Sequence, residues 1–458
     1  MIENDAFKLL LINLFHLNPD DIANIFCTTF NKMMVLIVTL ADKHQACPYC
    51  GFTAPKIKEY VTKEITHSAL TTQKCIIKYR ARRYKCPCCG KTYYEFNPFV
   101  FKSQKISILT VHNILKDLKD FNETFTSVAR RYHVSPTSVS TIFDNHVDIG
   151  RNPLPEIINF DEVYAFKSEK SKYVCVLLDF KKQIPVDVLP NRKKEYLLNY
   201  FQKIPLAERK KVKYACSDMY EVYRDVVHKV FPEAKHLLDY FHLSQYFHKK
   251  MNEVRIKVMK GYKDNKASDE YYLLKKFNWL LFKNPEDEDK HGRLFDVERE
   301  RKYNSHFKSY MNYYDLRKKL LEINNDLTIC YSLKLELVDF YSKSTIDNAQ
   351  VNLEHLIRNC IDTNIEEMIA FSNNLINWKQ EIINSFTIVD TEYKVEADKG
   401  QVVVCNKKVN NAIIENRNKI IKCIKNNANG YTNWSRFRNR VMYVLDPNAT
   451  FSLEPREK

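Results

Sequence analysis

No stretch of this 458-residue chain reaches the ~18–20 consecutive apolar residues that cross a bilayer as a helix, and the run MMVLIVTL at 33–40 has the length of a single strand. The opening MIENDAFKLLLINLF is acidic before it is apolar, the reverse of a secretory leader, so a cytoplasmic protein is expected. Thirteen cysteines, an odd number without regular spacing, exclude a disulfide scaffold and read as reduced thiols plus metal ligands. Acid is in deficit: 56 Asp+Glu face 72 Lys+Arg, giving +16 and a pI near 9.1. That balance points to a polyanionic partner, nucleic acid before an anionic membrane surface, rather than to a metabolite. Glycine is scarce, with 7 residues, and internal repeats and low-complexity tracts are missing; neither carries a functional reading.

The chain is too long for one core, so two to four structural units are expected. Residues 1–45 read as a short helix-strand lead-in, and 47 to about 95 as a strand-rich stretch between two cysteine pairs. Residues 105–148 follow a helical pattern, and Pro153 with Pro155 in RNPLPE marks a boundary. Strands are then expected at about 156–166, 172–180, 184–190 and 212–218, and in KHLLDYFH, with helices at 193–204 and 219–231. This order implies a mixed sheet with helices on both faces. Residues 245 to about 400 are mostly helical and highly charged; NNAIIENRNKIIKCIK forms a last helix, followed by a basic aromatic tail, GYTNWSRFRNR.

CPYCG supplies Cys47 and Cys50, and CPCCG supplies Cys86 and Cys89. Four thiolates from two C-x-x-C turns make a closed tetrahedral site for one structural Zn²⁺, and Gly51 and Gly90 permit the tight turns. Cys88 is out of register and is left aside. Redox chemistry is the rival reading. Residues 56–105 carry 12 Lys+Arg against 3 Asp+Glu, which suits DNA-backbone contact or a plainly solvated basic face. Cys175 and Cys216, within strands, read as core residues.

FTSVARRYHVSPTSVSTIFDNHV (125–147) has the spacing of a helix-turn-helix. Val128 and Ala129 face inward, Ser135 caps the second helix, and Pro136 takes its first position. Thr137, Ser138 and Ser140 would then meet a DNA groove beside Arg130 and Arg131. An ordinary helical hairpin is the alternative, and the usual turn glycine is missing.

In INFDE, Asp161 and Glu162 end an apolar strand, where a buried carboxylate is costly unless something pairs with it. Alternation sends the two to opposite faces, so Asp161 alone is the candidate ligand. Asp218 ends the strand YACSD and meets Asp161 if their strands are neighbours. Asp179, Asp187 and Asp239 read individually as turn or surface acids. Clustered carboxylates repel one another, a conflict that two Mg²⁺ (or Mn²⁺) ions would remove.

Together NFDEVYAFKSEKSKYVCVLLDF with VDVLPNR, CSDMYEVYRDVVHKVFPEAKHLLDYFHL and NNAIIENRNKIIKCIKNNANGYTNWSRFRNRV resemble the DDE transposases of the ISL3 insertion-sequence family, across nearly the whole chain. The resemblance implies a multidomain α+β and α/β protein. Its parts would be a zinc-ribbon-like lobe (1–104), a helix-turn-helix (105–152) and an RNase H-like mixed-sheet core (153–244). A helical insertion (245–404) and a final core helix with basic tail (405–458) would follow. It implies a metal-binding triad of Asp161, Asp218 and Glu415, the last of which spacing alone does not select, with Asp239 and His242 as a supporting element. Ala412 and Asn416 stand where the family usually carries glycine near the glutamate. The implied activity is metal-dependent cleavage at terminal inverted repeats followed by strand transfer. Partners would be double-stranded DNA and a second copy of the chain, in the cytoplasm at the nucleoid. Lys422, Arg436, Arg438 and Arg440 would contact phosphates, with Tyr431 and Trp434 stacking, unless the tail is core. A DNA-binding regulator with an inert body, or a nuclease or resolvase on the same fold, are the alternatives.

Overall fold

The computed structural model describes residues 2–43, 46–101, 104–166, 171–394 and 402–456. Helix α1 (Ile2–Leu14) packs Leu11 and Ile12, with Phe15 beyond its end, onto a sheet of β1 (Ile22–Phe30), β2 (Met33–Leu40), β3 (Lys56–Thr66), β4 (Cys75–Lys85) and β5 (Thr92–Tyr94). Strand order is β1-β2-β4-β3, with β5 also on β4 and β2 parallel to β4. Residues 2–43 are therefore part of the cysteine lobe rather than a lead-in: Ile22, Ile25, Leu36 and Val38 share one core with Ile65, Ile77 and Tyr79.

Three helices follow: α2 (Ile108–Asp117), α3 (Phe125–Arg131) and α4 (Pro136–His146). Each start is capped by a hydroxyl, Ser107, Thr124 and Ser135, accepting from the backbone N–H three residues on. Between α3 and α4 the left-handed turn residue is His133, at φ 55°, which takes the place of the absent glycine at a cost of about 1–2 kcal/mol. Val111, Ile114, Val128, Val139 and Phe143 form the core of this trio. Buried polar bonds tie it to the cysteine lobe: Ser68 Oγ donates to the Tyr132 carbonyl at 2.6 Å, and His67 bonds Ser107 Oγ at 2.9 Å and the Phe15 carbonyl at 2.8 Å.

The central sheet holds β6 (Ile157–Val163), β7 (Val174–Asp179), β8 (Pro185–Leu189), β9 (Tyr214–Ser217) and β10 (Lys235–Leu238), in the order β10-β9-β6-β7-β8. β6, β9 and β10 run parallel, β7 runs antiparallel to β6, and β8, antiparallel to β7, returns to the direction of β6. Between β8 and β9 lie α5 (Lys194–Gln202) and α6 (Leu206–Arg209), and between β9 and β10 lies α7 (Glu221–Val230). Phe160 and Leu177 on one sheet face meet Phe201 of α5 and Tyr223 and Val226 of α7. Being covered on both faces, these strands are near-continuous apolar runs, which is why they were legible.

KHLLDYFH is not all strand: β10 ends at Leu238, and α8 (Tyr240–Gly261) starts the helical insertion with Asp239 at its N-cap position. The insertion continues through α9 (Asp269–Lys276), two short hairpins at β11 (Glu288–Asp289) with β12 (Gly292–Arg293) and β13 (Lys302–Asn304) with β14 (Ser309–Met311), then α10 (Tyr313–Glu322), α11 (Asn325–Lys343), α12 (Ala349–Asp362), α13 (Glu366–Asn377) and α14 (Lys379–Asn384). Its own core includes Phe247, Leu337, Leu356, Phe371 and Trp378. The hairpin of β15 (Ile388–Lys394) and β16 (Val402–Lys408) brings the chain back to the sheet and into α15 (Ala412–Asn427).

The expected tail is a helix, α16 (Trp434–Leu445). Together α15 and α16 cover the second sheet face, Ile414, Ile421, Phe437 and Val441 packing on Val163, Val174 and Val176. Among the described residues no helix is long and apolar enough to cross a membrane.

Candidate active site and cysteine cluster

Strands β6 and β9 pair in parallel with Asn159 opposite Cys216, so Asp161, still within β6 and paired with Val176 of β7, and Asp218, just past the end of β9, fall level with each other two residues further on. Asp161 is buried. Its Oδ1 accepts the Glu162 backbone N–H at 2.8 Å and its Oδ2 accepts Asn418 Nδ2 at 2.7 Å. Burial pushes its carboxyl up to about 7; the Glu162 N–H opposes this, and the charges of Glu162 and Asp218 add to it. Burial also raises Asp218, whose Oδ1 is buried without a hydrogen-bond partner.

Glu415 lies in the first turn of α15, which packs against β6. Its Oε1 is 3.7 Å from His242 Nε2, and the same nitrogen is 3.9 Å from Asp239 Oδ2. Ligand atoms of Asp239, His242 and Glu415 all lie within 4.8 Å of one another. Asp239 is raised by burial, and its Oδ2 has no hydrogen-bond partner. His242 joins the other two, its Nε2 lying between the Asp239 and Glu415 carboxylates. The structure thus groups Glu415 with Asp239 and His242 and sets Asp161 level with Asp218, without drawing all five predicted residues into one closed cluster. Buried carboxylate oxygens without partners, raised above their ordinary range, are a donor set that suits a hard divalent cation.

Glu162 sits on the other side of the strand. Arg192 forms an ion pair with its Oε1, and Tyr223 Oη donates to its Oε2 at 3.0 Å. Arg192, from the loop after β8, closes the VDVLPNR segment of the family resemblance, but the sequence assigned it no role. Asn411 was also missed: its side chain bonds Asn159 at 2.7 Å and the Phe160 carbonyl at 3.1 Å, fixing the start of α15 on β6. Asp179 accepts turn N–H groups of Lys181 and Lys182. Asp187 is buried against Arg438 and Tyr200.

In the cysteine lobe, Cys47 Sγ is 3.7 Å from Cys89 Sγ and Cys50 Sγ is 3.5 Å from Cys86 Sγ, and all four sulfurs lie within 4.8 Å of one another. Gly51 and Gly90 take φ of 75° and 72°, and their N–H groups return to the Cys47 and Cys86 carbonyls, closing two matching turns. Backbone N–H groups of Cys89 and Cys88 draw the Cys86 thiol down to about 7. Four convergent sulfurs fit Zn²⁺. Cys88 is exposed and outside the cluster, while Cys175 and Cys216 are buried in strands.

On α4, Thr137 is exposed, whereas Ser138 Oγ bonds Ser135 Oγ at 2.8 Å and Ser140 Oγ donates to the Thr137 carbonyl at 2.9 Å. Arg130 is exposed, but Arg131 is paired with both Asp117 and Glu123. Lys422 is exposed on α15.

The arginines of α16 do not form an open clamp. Arg440 is 1% exposed and donates from Nη2 to the Asp120 and Glu123 carbonyls, each at 2.8 Å. Arg438 pairs with Asp187 at 2.6 Å, and Arg436 with Asp144 at 2.6 Å. Trp434 and Tyr431 pack against Phe166 and Phe437. The reason is amphipathic folding: the segment becomes a helix between two layers, and its guanidinium groups satisfy carbonyls and carboxylates there.

A mixed sheet with buried acids at its parallel-strand edge, joined to a four-thiol lobe, defines a multidomain α+β protein equipped for metal binding. The ISL3 DDE family, described as transposase, matches residues 158–397. The transposase for insertion sequence element IS1001 of Bordetella parapertussis is 19% identical over 410 residues, covering 89% of this chain and 90% of its own. The chain belongs to the ISL3 family of DDE transposases.

Proposed function

We propose that this transposase binds the terminal inverted repeats of an insertion sequence and cuts and joins DNA through Asp161, Asp218 and Glu415. The observation that carries this reading is the placement of Asp161, within β6, level with Asp218, just past the neighbouring parallel strand β9, while α15, bonded to Asp161 through Asn418, carries Glu415 one turn earlier. The strand order β10-β9-β6-β7-β8, in which β7 alone runs against the other four, supports an RNase H-like core. On this reading residues 1–104 form a zinc-stabilised lobe, 105–152 a helix-turn-helix, 153–244 and 405–458 the catalytic core, and 245–404 a covering insertion.

The triad, with Asp239 and His242 in support, would hold two Mg²⁺ or Mn²⁺ ions. When bound, such a pair activates the attacking oxygen and stabilises the leaving oxygen of an in-line phosphodiester displacement. The chain's own task is to position: Asn418 orients Asp161, and Asn411 anchors the helix that carries Glu415. Water attack frees a 3′-OH at the element end, and that hydroxyl then attacks target DNA. Arg130 and Thr137 are the exposed candidates for DNA contact on the helical trio, and Lys422 on α15. Joining two ends calls for a dimer acting at the nucleoid.

The test uses purified protein with Mg²⁺ and duplexes carrying the element's ends. Wild type should nick at the terminus, and Asp161→Asn, Asp218→Asn and Glu415→Gln should each lose at least ~10³-fold in rate while still binding the ends. Binding without cutting by the wild type would instead mark a regulator, and preference for branched DNA a resolvase.

A further inference from the structure

Arg192 is held unlike any arginine of α16. Its guanidinium lies between two aromatic rings, 4.5 Å from the centre of Tyr173 and 4.7 Å from that of Tyr220, and makes an ion pair with Glu162 through Nη1. Glu162 is in turn fixed by Tyr223 Oη. Arginine carries five N–H donors. Arg440 and Arg438 direct theirs to carbonyls and carboxylates inside the fold. Among the described residues Arg192 directs only one, to Glu162, although its side chain is 27% exposed. Its location completes the picture: the loop after β8 brings it onto the ring of Tyr220, two residues beyond Asp218, and onto Glu162, the neighbour of Asp161.

A planar cation stacked between rings, with donors unspent, at the rim of a carboxylate cleft is arranged for a phosphate oxygen. The rings and Glu162 fix its plane before any ligand arrives, so little ordering remains for binding. We infer that Arg192 is a catalytic phosphate-binding residue, contacting a non-bridging oxygen of the scissile phosphodiester, and that Glu162 is a positioning residue which aims it. This rests on the triad reading and extends it: the acid pair Asp161–Glu162 divides its work, one member facing the metals and the other the arginine.

The experiment measures strand cleavage of end-bearing duplexes by the full chain with Mg²⁺, with thermal melting and end binding in parallel. Arg192→Gln should lower kcat by about 10²-fold, as expected for losing one donor to transition-state charge, with melting unchanged. Its KM should stay within ~3-fold, the signature of an interaction made in the transition state. Arg192→Lys should recover part of the rate, and Glu162→Gln should cost roughly 10-fold in kcat, again without moving KM. Wild-type kcat in Arg192→Gln overturns the inference, as does a loss that merely follows the folded fraction and is equal in Arg192→Lys. Asp161→Asn is run alongside: if it still cleaves, the triad reading falls, whereas an inert Asp161→Asn beside a fully active Arg192→Gln removes only the role of Arg192.

Discussion

Asn418 Nδ2 donates a 2.7 Å hydrogen bond to Oδ2 of buried Asp161, one turn of helix after Glu415. The late helix is thereby registered on the first strand of the sheet at the level of the acids. Asn418→Ala should slow end cleavage about 10-fold through loosened positioning, at a stability cost of about 1 kcal/mol for the lost bond. Asn418→Asp sets a second carboxylate against the first and should be worse on both counts. Cleavage rates and denaturant titrations check this.

The raised carboxyl of Asp161 makes the metal-free protein sensitive to pH. Its folded value, about 7, lies above the ~3.9 of an unfolded aspartate, so the native state holds the proton more tightly. Stability from this group is complete below about 4 and is lost as pH rises through about 7. Thermal melts in chelator should therefore fall over that window, and Asp161→Asn should flatten part of the slope. Adding Mg²⁺ at pH 8 should raise the wild-type midpoint more than that of the variant.

The cysteine cluster predicts metal content. Purified protein should carry one Zn²⁺ per chain, Cys86→Ser or Cys47→Ser should lose it, and Cys88→Ser should keep it. Loss of the metal should unfold the cysteine lobe and weaken end binding, while the central sheet, whose core is separate, stays folded. Elemental analysis and limited proteolysis report these outcomes.

Arginines here divide into buried, paired ones and exposed ones. Arg440→Ala empties a buried site and leaves two carbonyls without their donor, so a loss of about 3 kcal/mol or more is expected, with end cleavage per folded molecule little changed. Arg130→Ala should leave melting unchanged and reduce the salt dependence of DNA binding by about one unit of slope. Melting curves and salt titrations distinguish the two.

What could be read from the sequence was local. Period-two alternation put Asp161 and Glu162 on opposite faces, and one meets Asn418 while the other meets Arg192 and Tyr223. Matching C-x-x-C turns gave the sulfur cluster, and hydroxyl caps with Pro136 gave α4. What could not be read was which distant group answers which. Glu415 came from resemblance alone, because nothing in a helix face says which sheet edge it will meet. Composition suggested that the basic α16 faces a polyanion, but the carbonyls and carboxylates that occupy its arginines lie far away in the chain. KHLLDYFH misled because a short apolar run suits strand or helix equally until Asp239 begins α8.

Helix α16 reaches back to α2 through Tyr443 and to the α2–α3 connection through Arg440, and to β8 through Arg438. Translation delivers it after every segment it must bridge. A nascent polypeptide can thus complete its cysteine-rich front while the rear half is still on the ribosome, but the sheet keeps one bare apolar face until the final helices emerge. Premature termination within α15 or α16 should therefore leave a sticky, chaperone-dependent fragment instead of a smaller working enzyme.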